Sequence, residues 1–370
     1  MLQASNGAHT RVLSNHDSST PPNAIRPGLG FPEGRSRPAF LRPPRVLVVY
    51  PFRATFIERD IGLLETFCEV RAFLFDRRDQ YPALLGSILS ADVVVCWFAL
   101  PFSAVAAVAA RAFGRKTIVI AGGWDVAQMP EISYGRILGR RSRLLARIAL
   151  RAPDLVLAFS ESSLRSVRDV APRSPVRTAY MGVDVTAFTP GEKQDLVVTV
   201  ANVSRENVLR KGLRTFVDAA AQVPEAQFMV IGKHIDGSVN QLRAVATANV
   251  TLTDWLPDRE VQDILGKARV YVQASYTEGF GVALAEAMSS GCVPVATWRG
   301  AIPEVIGDTG IYFEYGDAVG LATAIRAGLR SGLGPVARRR VQERFSIDRR
   351  LRALHDAIAS VNGTVRQEAG

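Results

Sequence analysis

Residues 271–297 read YVQASYTEGFGVALAEAMSSGCVPVAT. An apolar, β-branched run closes at Ser275, glycines follow at 279 and 281, and a helical pattern starts near Gly281 or Val282 before a second strand, VPVAT, at 293–297. Strand, glycine turn, helix and strand in so short a span make one repeat of a parallel sheet covered by helices. Two glutamates, Glu278 and Glu286, stand eight residues apart across the turn. The glycines allow close approach to the main chain. The first turn of the helix offers unpaired N–H groups and the positive end of its dipole, a setting for phosphate. Glu286 falls about five residues into the helix, roughly 7.5 Å along its axis at about 1.5 Å per residue. A phosphate between two carboxylates makes sense when each carboxylate accepts from sugar hydroxyls beside it, because such charge-assisted hydrogen bonds are about twice as strong as neutral ones. The pattern suits a nucleotide sugar, with ribose on one glutamate, diphosphate on the helix end and Lys211, and hexose on the other glutamate.

The same rhythm runs outward. RVLVVY (45–50), EVRAFLF (69–75), VVVCWF (93–98), KTIVIAGG (116–123) and LVLAFS (155–160) read as buried strands spaced by helices. The rhythm breaks at MGVDVTAFTPGEKQD (181–195), rich in turn-formers and charge. It restarts with LVVTVANV (196–203), AQFMVIG (226–232), VTLTDW (250–255) and RVYVQAS (269–275). The expectation is two Rossmann-like, doubly wound α/β domains, over 44–188 and 189–342, with a cleft between the carboxyl ends of their strands.

The chain of 370 residues is long enough for two such domains. Its formal charge of +10 and pI near 9.9 favour anionic partners without choosing among them. The three cysteines, Cys68, Cys96 and Cys292, form no C-x-x-C pair and read as reduced core residues of a cytoplasmic protein. The four histidines have no cysteine neighbours and no two aspartates stand at D-x-D spacing, so no metal site is expected. Residues 1–43, rich in Ser, Pro, Asn, Gly and Arg, read as a disordered leader. The charge-free run Val93–Ala110 is long enough to suggest a membrane span, but Pro101 divides it into a β-branched strand and an Ala-rich helix.

The stretch EGFGVALAE (278–286) resembles the E-x7-E signature of family-4 retaining glycosyltransferases, whose fold is GT-B. Four other segments resemble that family in order. They are AGGWDVA (121–127) for its H-G-x-D loop, MGVDVTAFTP (181–190), RKGL (210–213), and RGAIPEVIGDTGIYFEYGD (299–317) for its G-G-x-P-E segment. RFSIDRRLRALHDAI (344–358) resembles its final helix, implying that 343–361 cross back to the first domain. The resemblance implies that a hexosyl group is transferred with retention to a glycan or lipid-linked acceptor, without a metal. No cofactor is called for, the nucleotide sugar being a co-substrate. It further implies that Glu286 holds the donor ribose, and that Glu278 and the amides of Gly279, Phe280 and Gly281 meet the transferred sugar. Lys211 would pair with the diphosphate, where a preplaced cation stabilises charge growing on the leaving group. Two departures stand out. Asn202 occupies the place of the family's arginine, with Arg205 or Arg210 as substitutes, and Gly122 replaces its histidine. Gly123, Trp124 and Asp125 are then the acceptor-side residues, Asp125 as a contact and Trp124 as a stacking platform.

SYGRILGRRSRLLARIALR (133–151) places arginines at 136, 140, 143, 147 and 151, one face of a long helix. Two readings stand: a basic helix lying on an anionic membrane at the inner face of the plasma membrane, or a surface helix packed on the sheet. Nucleic acid is not expected as a partner, since no aromatics interleave the stripe and no recognition module is present. Among other functions, a nicotinamide-dependent oxidoreductase lacks its G-x-G-x-x-G after the first strand. A non-catalytic nucleotide-sugar-binding scaffold and a nucleotide-sugar epimerase remain as alternatives on the same fold.

Overall fold

The computed structural model describes residue 40 and residues 42–363, so the expected leader lies, apart from 40, 42 and 43, outside the described residues. β1 (Arg45–Tyr50) leads through α1 (Thr55–Glu65) to β2 (Glu69–Leu74). α2 (Tyr81–Leu89) precedes β3 (Val93–Trp97), and α3 (Pro101–Ala112) precedes β4 (Lys116–Ala121). After α4 (Arg140–Arg151) come β5 (Leu155–Ala158), α5 (Glu161–Val170) and β6 (Val176–Thr178). The strands form a parallel sheet in the order β2-β1-β3-β4-β5-β6. Every residue of β3 is buried, as its unbroken apolar sequence requires, and Pro101 opens α3 where its missing N–H has no partner to lose. Among the described residues no helix is long and apolar enough to cross a membrane. α2, α5 and β6 go beyond the expected elements; α5 is polar in sequence and buries little more than Ser163, Leu164, Val167 and Val170.

The second half begins with β7 (Gln194–Val200), α6 (Arg205–Arg210) and α7 (Leu213–Ala220). β8 (Gln227–Ile231), α8 (Ser238–Arg243), β9 (Val250–Leu252) and α9 (Asp258–Lys267) follow. Next come β10 (Ala268–Gln273), α10 (Val282–Ser289), β11 (Val293–Thr297), α11 (Ile302–Ile306) and β12 (Ile311–Phe313). α12 (Ala318–Arg330), α13 (Gly334–Arg344) and α14 (Ile347–Asn362) complete the described chain. This sheet is also parallel, in the order β12-β11-β10-β7-β8-β9. The order reverses between β7 and β10, so a crevice opens where the turns after those two strands part.

α14 returns to the first sheet. Arg350 reaches Asp60 on α1 through Nε–Oδ1 at 3.0 Å and Nη2–Oδ2 at 2.5 Å, with the two side chains 1 % and 2 % exposed. A buried pair of this kind persists only when both charges are satisfied, and Arg350 adds a bond to the Ala179 carbonyl. The linker docks beside it: Val183 exchanges main-chain hydrogen bonds with Phe345 and Ile347. One apolar cluster runs from the first sheet through Met181, Phe345 and Phe280 into the inner face of the second, and another fills that sheet's far side.

The expected basic helix is corrected. Two glycines break it: Gly135 sits at φ 118° and Gly139 is extended (φ −102°, ψ 153°), so α4 begins only at Arg140. Ser133 is left-handed and Tyr134 pairs with Met129 in a short antiparallel bridge. Arg136 therefore leaves the stripe. α4 buries Ala146, Ala149 and Leu150, while Leu144, Leu145 and Ile148 are 59, 39 and 37 % exposed among the remaining arginines.

Candidate functional site

The turn after β10 places Glu278 in the crevice between β10 and β7. Its Oε1 accepts from Gln273 Nε2 at 2.9 Å, Ser275 Oγ at 2.7 Å and Lys211 Nζ at 2.6 Å. Gln273 and Ser275 are themselves buried, which fixes the carboxylate from beneath. Lys211 arrives because Gly212 follows it. Gly212 holds φ at +63°, and a Cβ there would sit 2.2 Å from the Ala274 carbonyl oxygen, so only glycine lets this turn close on the end of β10. Burial lowers the Lys211 pKa against the pull of Glu278. Burial opposes ionisation of Glu278 as well, but the charges of Lys211 and Arg210 outweigh it and hold the carboxyl below its ordinary value. The result is a largely buried ion pair whose ammonium, among the described residues, makes one side-chain hydrogen bond and has two N–H groups still to give.

Of the two substitute arginines, Arg210 and not Arg205 joins this centre. Arg210 acts on both members of the pair, bonds Asn207 Oδ1 at 2.7 Å, and lies 4.9 Å over the ring of Tyr134 from the first domain. Arg205 is exposed at the start of α6, where its main-chain N–H donates to Asp236. Asn202 is exposed too, and its Oδ1 accepts from the Lys233 amide across the ends of β7 and β8. Tyr134 had no place in the sequence reading; burial pushes its phenol up to about 12, so it stays a neutral donor.

Beyond Glu278 the chain turns into α10 through Gly281 at φ 92°, with no side chain capping the helix. The amides of Gly279, Phe280 and Gly281 donate to no backbone carbonyl among the described residues. Gly279 also governs a contact between the domains. A Cβ there would lie 2.0 Å from the Gly122 oxygen, so the close approach it permits is that of the first domain's backbone. The Phe280 side chain is core, 3 % exposed, packed against Tyr180 and Phe345. One turn on, Glu286 is pushed up to about 7 by burial, countered by Arg59, whose Nη2 stands 3.4 Å from Oε1.

Across the crevice, the first domain presents the turn after β4. Asp125 is corrected as an acceptor contact: it is 0 % exposed, and its oxygens accept from the amides of Ala99, Gly122 and Gly123 at 2.8, 3.3 and 2.9 Å. It shapes the loop instead, its pKa raised by burial against those bonds. Gly122 has no room for a larger side chain, since a Cβ would meet Phe159 and Ser163 Oγ at 2.9 Å. Trp124 remains open, 41 % exposed, with the Arg136 guanidinium 5.4 Å over its ring. Two bolts cross between domains here. The single Ser163 Oγ–H is shared between the carbonyl of Gly122 in its own domain, at 2.7 Å, and that of Gly279 across the crevice, at 3.2 Å. Glu304, from α11, accepts from the first two amides of α5, those of Glu161 and Ser162, at 2.8 and 2.6 Å and from the Tyr180 hydroxyl at 3.2 Å.

Residues 194–331, essentially the second sheet and its helices, match the family described as Glycosyl transferases group 1. N-acetyl-alpha-D-glucosaminyl L-malate synthase of Bacillus anthracis is 25 % identical over 282 residues, 69 % of this chain and 71 % of that one. Colanic acid biosynthesis glycosyltransferase WcaL of Escherichia coli, a name given there with reserve, is 28 % identical over 236 residues, 56 % of this chain and 58 % of its own. Alpha-maltose-1-phosphate synthase of Mycolicibacterium smegmatis is 27 % identical over 204 residues, and the match spans about half its length, 52 %. In fold the chain is similar to Anabaena HepE in complex with UDP (TM-score 0.72, 16 % identity, 85 % of this chain and all of that one). It is also similar to sucrose-phosphate synthase of Thermosynechococcus elongatus (TM-score 0.69, 16 % identity, 87 % and 100 %). The architecture is GT-B, and the matches support a glycosyltransferase family.

Proposed function

We propose that this protein is a family-4 retaining glycosyltransferase that moves a hexosyl group from a nucleotide sugar to a glycan or lipid-linked acceptor, without a metal ion. The observation that carries the reading is the Lys211–Glu278 pair set against the uncapped N-terminus of α10, with Glu286 one turn further on. In this reading the diphosphate lies on the amides of 279–282, where the helix dipole and Lys211 favour negative charge. The ammonium keeps one bond to Glu278 and gives the others to phosphate oxygens, so charge developing on the leaving group meets a cation already in place. Glu278 accepts from the hexose hydroxyls, and Glu286 from the ribose. Arg210 supplies the second positive charge that Asn202 lacks, with Tyr134 stacked beneath it. Trp124 and Gly123 form the acceptor side.

We assign the acceptor to a cytoplasmic membrane surface on the strength of α4. Leu144, Leu145 and Ile148 lie exposed among Arg140, Arg141, Arg143, Arg147 and Arg151, an apolar strip flanked by cations and fit for an anionic bilayer. HepE and WcaL bring the same general chemistry into view: one is solved with UDP and the other is described for colanic acid biosynthesis. The decisive experiment is calorimetric titration with UDP, GDP and ADP sugars in the presence of a chelator. Binding of one of them, abolished in Glu286→Ala, is the expected result. Failure of all three to bind, with or without vesicles, would overturn the donor-site reading.

A further inference from the structure

Arg59 stands on α1 in the first domain, yet its guanidinium belongs to the second domain's helix. Nη2 lies 3.4 Å from Glu286 Oε1, and Nη1 donates to the Gly182 carbonyl at 3.0 Å. The two side chains are only 19 % and 17 % exposed. The next residue, Asp60, holds Arg350 of α14. Consecutive residues of one helix thus grip, with opposite charges, the helix after the E-G-F-G turn and the returning C-terminal helix. The linker runs between them: Gly182 accepts from Arg59, and a Cβ on it would be 2.7 Å from Arg350 Cβ. Glu286 itself is held by one oxygen, and among the described residues Oε2 accepts no hydrogen bond from protein. A carboxylate steadied at one oxygen and open at the other is set to receive hydroxyl groups.

We propose that Arg59 is a donor-positioning residue: from across the crevice it orients the Glu286 carboxylate toward a 2′,3′-diol, so that ribose in the site is registered by both domains. The inference rests on the ribose reading of Glu286 given above. Its chemistry is that of a charge-assisted hydrogen bond. The guanidinium favours the ionised carboxylate against burial and holds it in one rotamer, and an ionised carboxylate offers both oxygens as acceptors. Without it, Glu286 faces burial and the nearby negative charge of Asp258 uncompensated, and a proton taken up there removes acceptor capacity. The buried Tyr271 also feels the Glu286 charge, which helps to keep its phenol neutral.

The test compares dissociation constants for UDP, GDP and ADP with those for their 2′,3′-dideoxy counterparts. It uses the full chain and its Arg59→Gln, Arg59→Lys, Glu286→Gln and Arg59→Gln/Glu286→Gln variants, with folding followed by circular dichroism. Arg59→Gln is expected to weaken the ribonucleotide about tenfold, the size of one such bond, and to leave the dideoxy form unchanged. Arg59→Lys should recover part of the loss, and adding Arg59→Gln to Glu286→Gln should cost nothing more. If Glu286→Gln abolishes the preference for the ribonucleotide while Arg59→Gln leaves it intact, the role given to Arg59 is wrong and the ribose reading stands. Equal losses for both nucleotide forms in Arg59→Gln would also overturn it, reducing the contact to scaffolding. If neither substitution touches the preference, or no nucleotide binds, the ribose reading fails and this inference with it.

Discussion

Lys211 Nζ and Glu278 Oε1 lie 2.6 Å apart, joining the turn before α7 to the turn after β10 across the point where the second sheet reverses its strand order. The pair is largely buried, its side chains 19 % and 10 % exposed, so each partner's charge is worth more, and its loss costs more, than at a surface.

Lys211→Met should therefore do two separable things. Removing the cation leaves Glu278 with Gln273 and Ser275 as donors, so the stability cost should be on the order of 1–3 kcal/mol, below that of a wholly stranded charge. Turnover should fall about a hundredfold or more, as expected when a cation facing developing negative charge is removed. Urea unfolding and steady-state rates read the two effects apart, and unchanged turnover would dismiss Lys211 from the reaction.

Glu286 sets a pH dependence with two opposite signs. Its pKa is about 7 in the folded chain, above the ordinary carboxyl range, so the folded state binds the proton more tightly. Its contribution to stability is fully present below the unfolded value and is lost as pH rises through 7. Donor affinity should run the other way, since a diol donates to the anion, and weaken as pH falls through 7. Glu286→Gln should flatten both profiles.

Gly279→Ala tests the contact between domains. The added methyl would stand 2.0 Å from the Gly122 oxygen, so the turns must part. A loss of about 1–3 kcal/mol in stability, together with weaker donor binding, is expected from overpacking at a rigid contact.

Asp60→Ala strands Arg350 where it is 1 % exposed. Breaking a buried pair by removing one partner costs about 3–5 kcal/mol, and chemical denaturation should show it. A loss within the error of measurement would mean that the Ala179 carbonyl alone satisfies the guanidinium.

On α4, glutamine at 140, 143 and 151 should abolish sedimentation with anionic vesicles. Each arginine near such a surface is worth about 1 kcal/mol, so three amount to roughly a hundredfold. Arg147 is left alone because its Nε already donates to the Val170 carbonyl. Vesicle binding that survives the triple substitution would remove the bilayer from the proposal.

The alternation of apolar runs and helices was readable because buried parallel strands must be apolar throughout; β1 and β11 fall on the residues quoted for them. The turn between β10 and α10 was equally local, spelled by its glycines. What sequence spacing missed depends on pairs far apart in the chain. Tyr134 reads as the first turn of an arginine helix until Gly135 and Gly139 break it and the ring passes under Arg210. Asp125 matches a loop motif, but only the position of the Ala99 amide shows that its carboxylate is used up within the protein. Asn202 and Arg205 were plausible by position, just past the end of β7 and at the start of α6, whereas Arg210 is chosen by the face of a short helix. Arg59 carries no local signal at all, and Glu304, the acid of the P-E in the segment quoted at 299–317, shows nothing in its neighbours of the other domain's helix that it holds.

Glu304 gives the two halves an unequal dependence on one another. The first two amides of α5 end on its two carboxylate oxygens, and the third on Ser160 Oγ, so the helix start in the first half is finished by a side chain from the second. Drawing the halves apart hands those amides to solvent and leaves the carboxylate to be rehydrated on its own. Opening of the crevice at this contact therefore requires water to reach that helix end, beside the turn that carries Glu278.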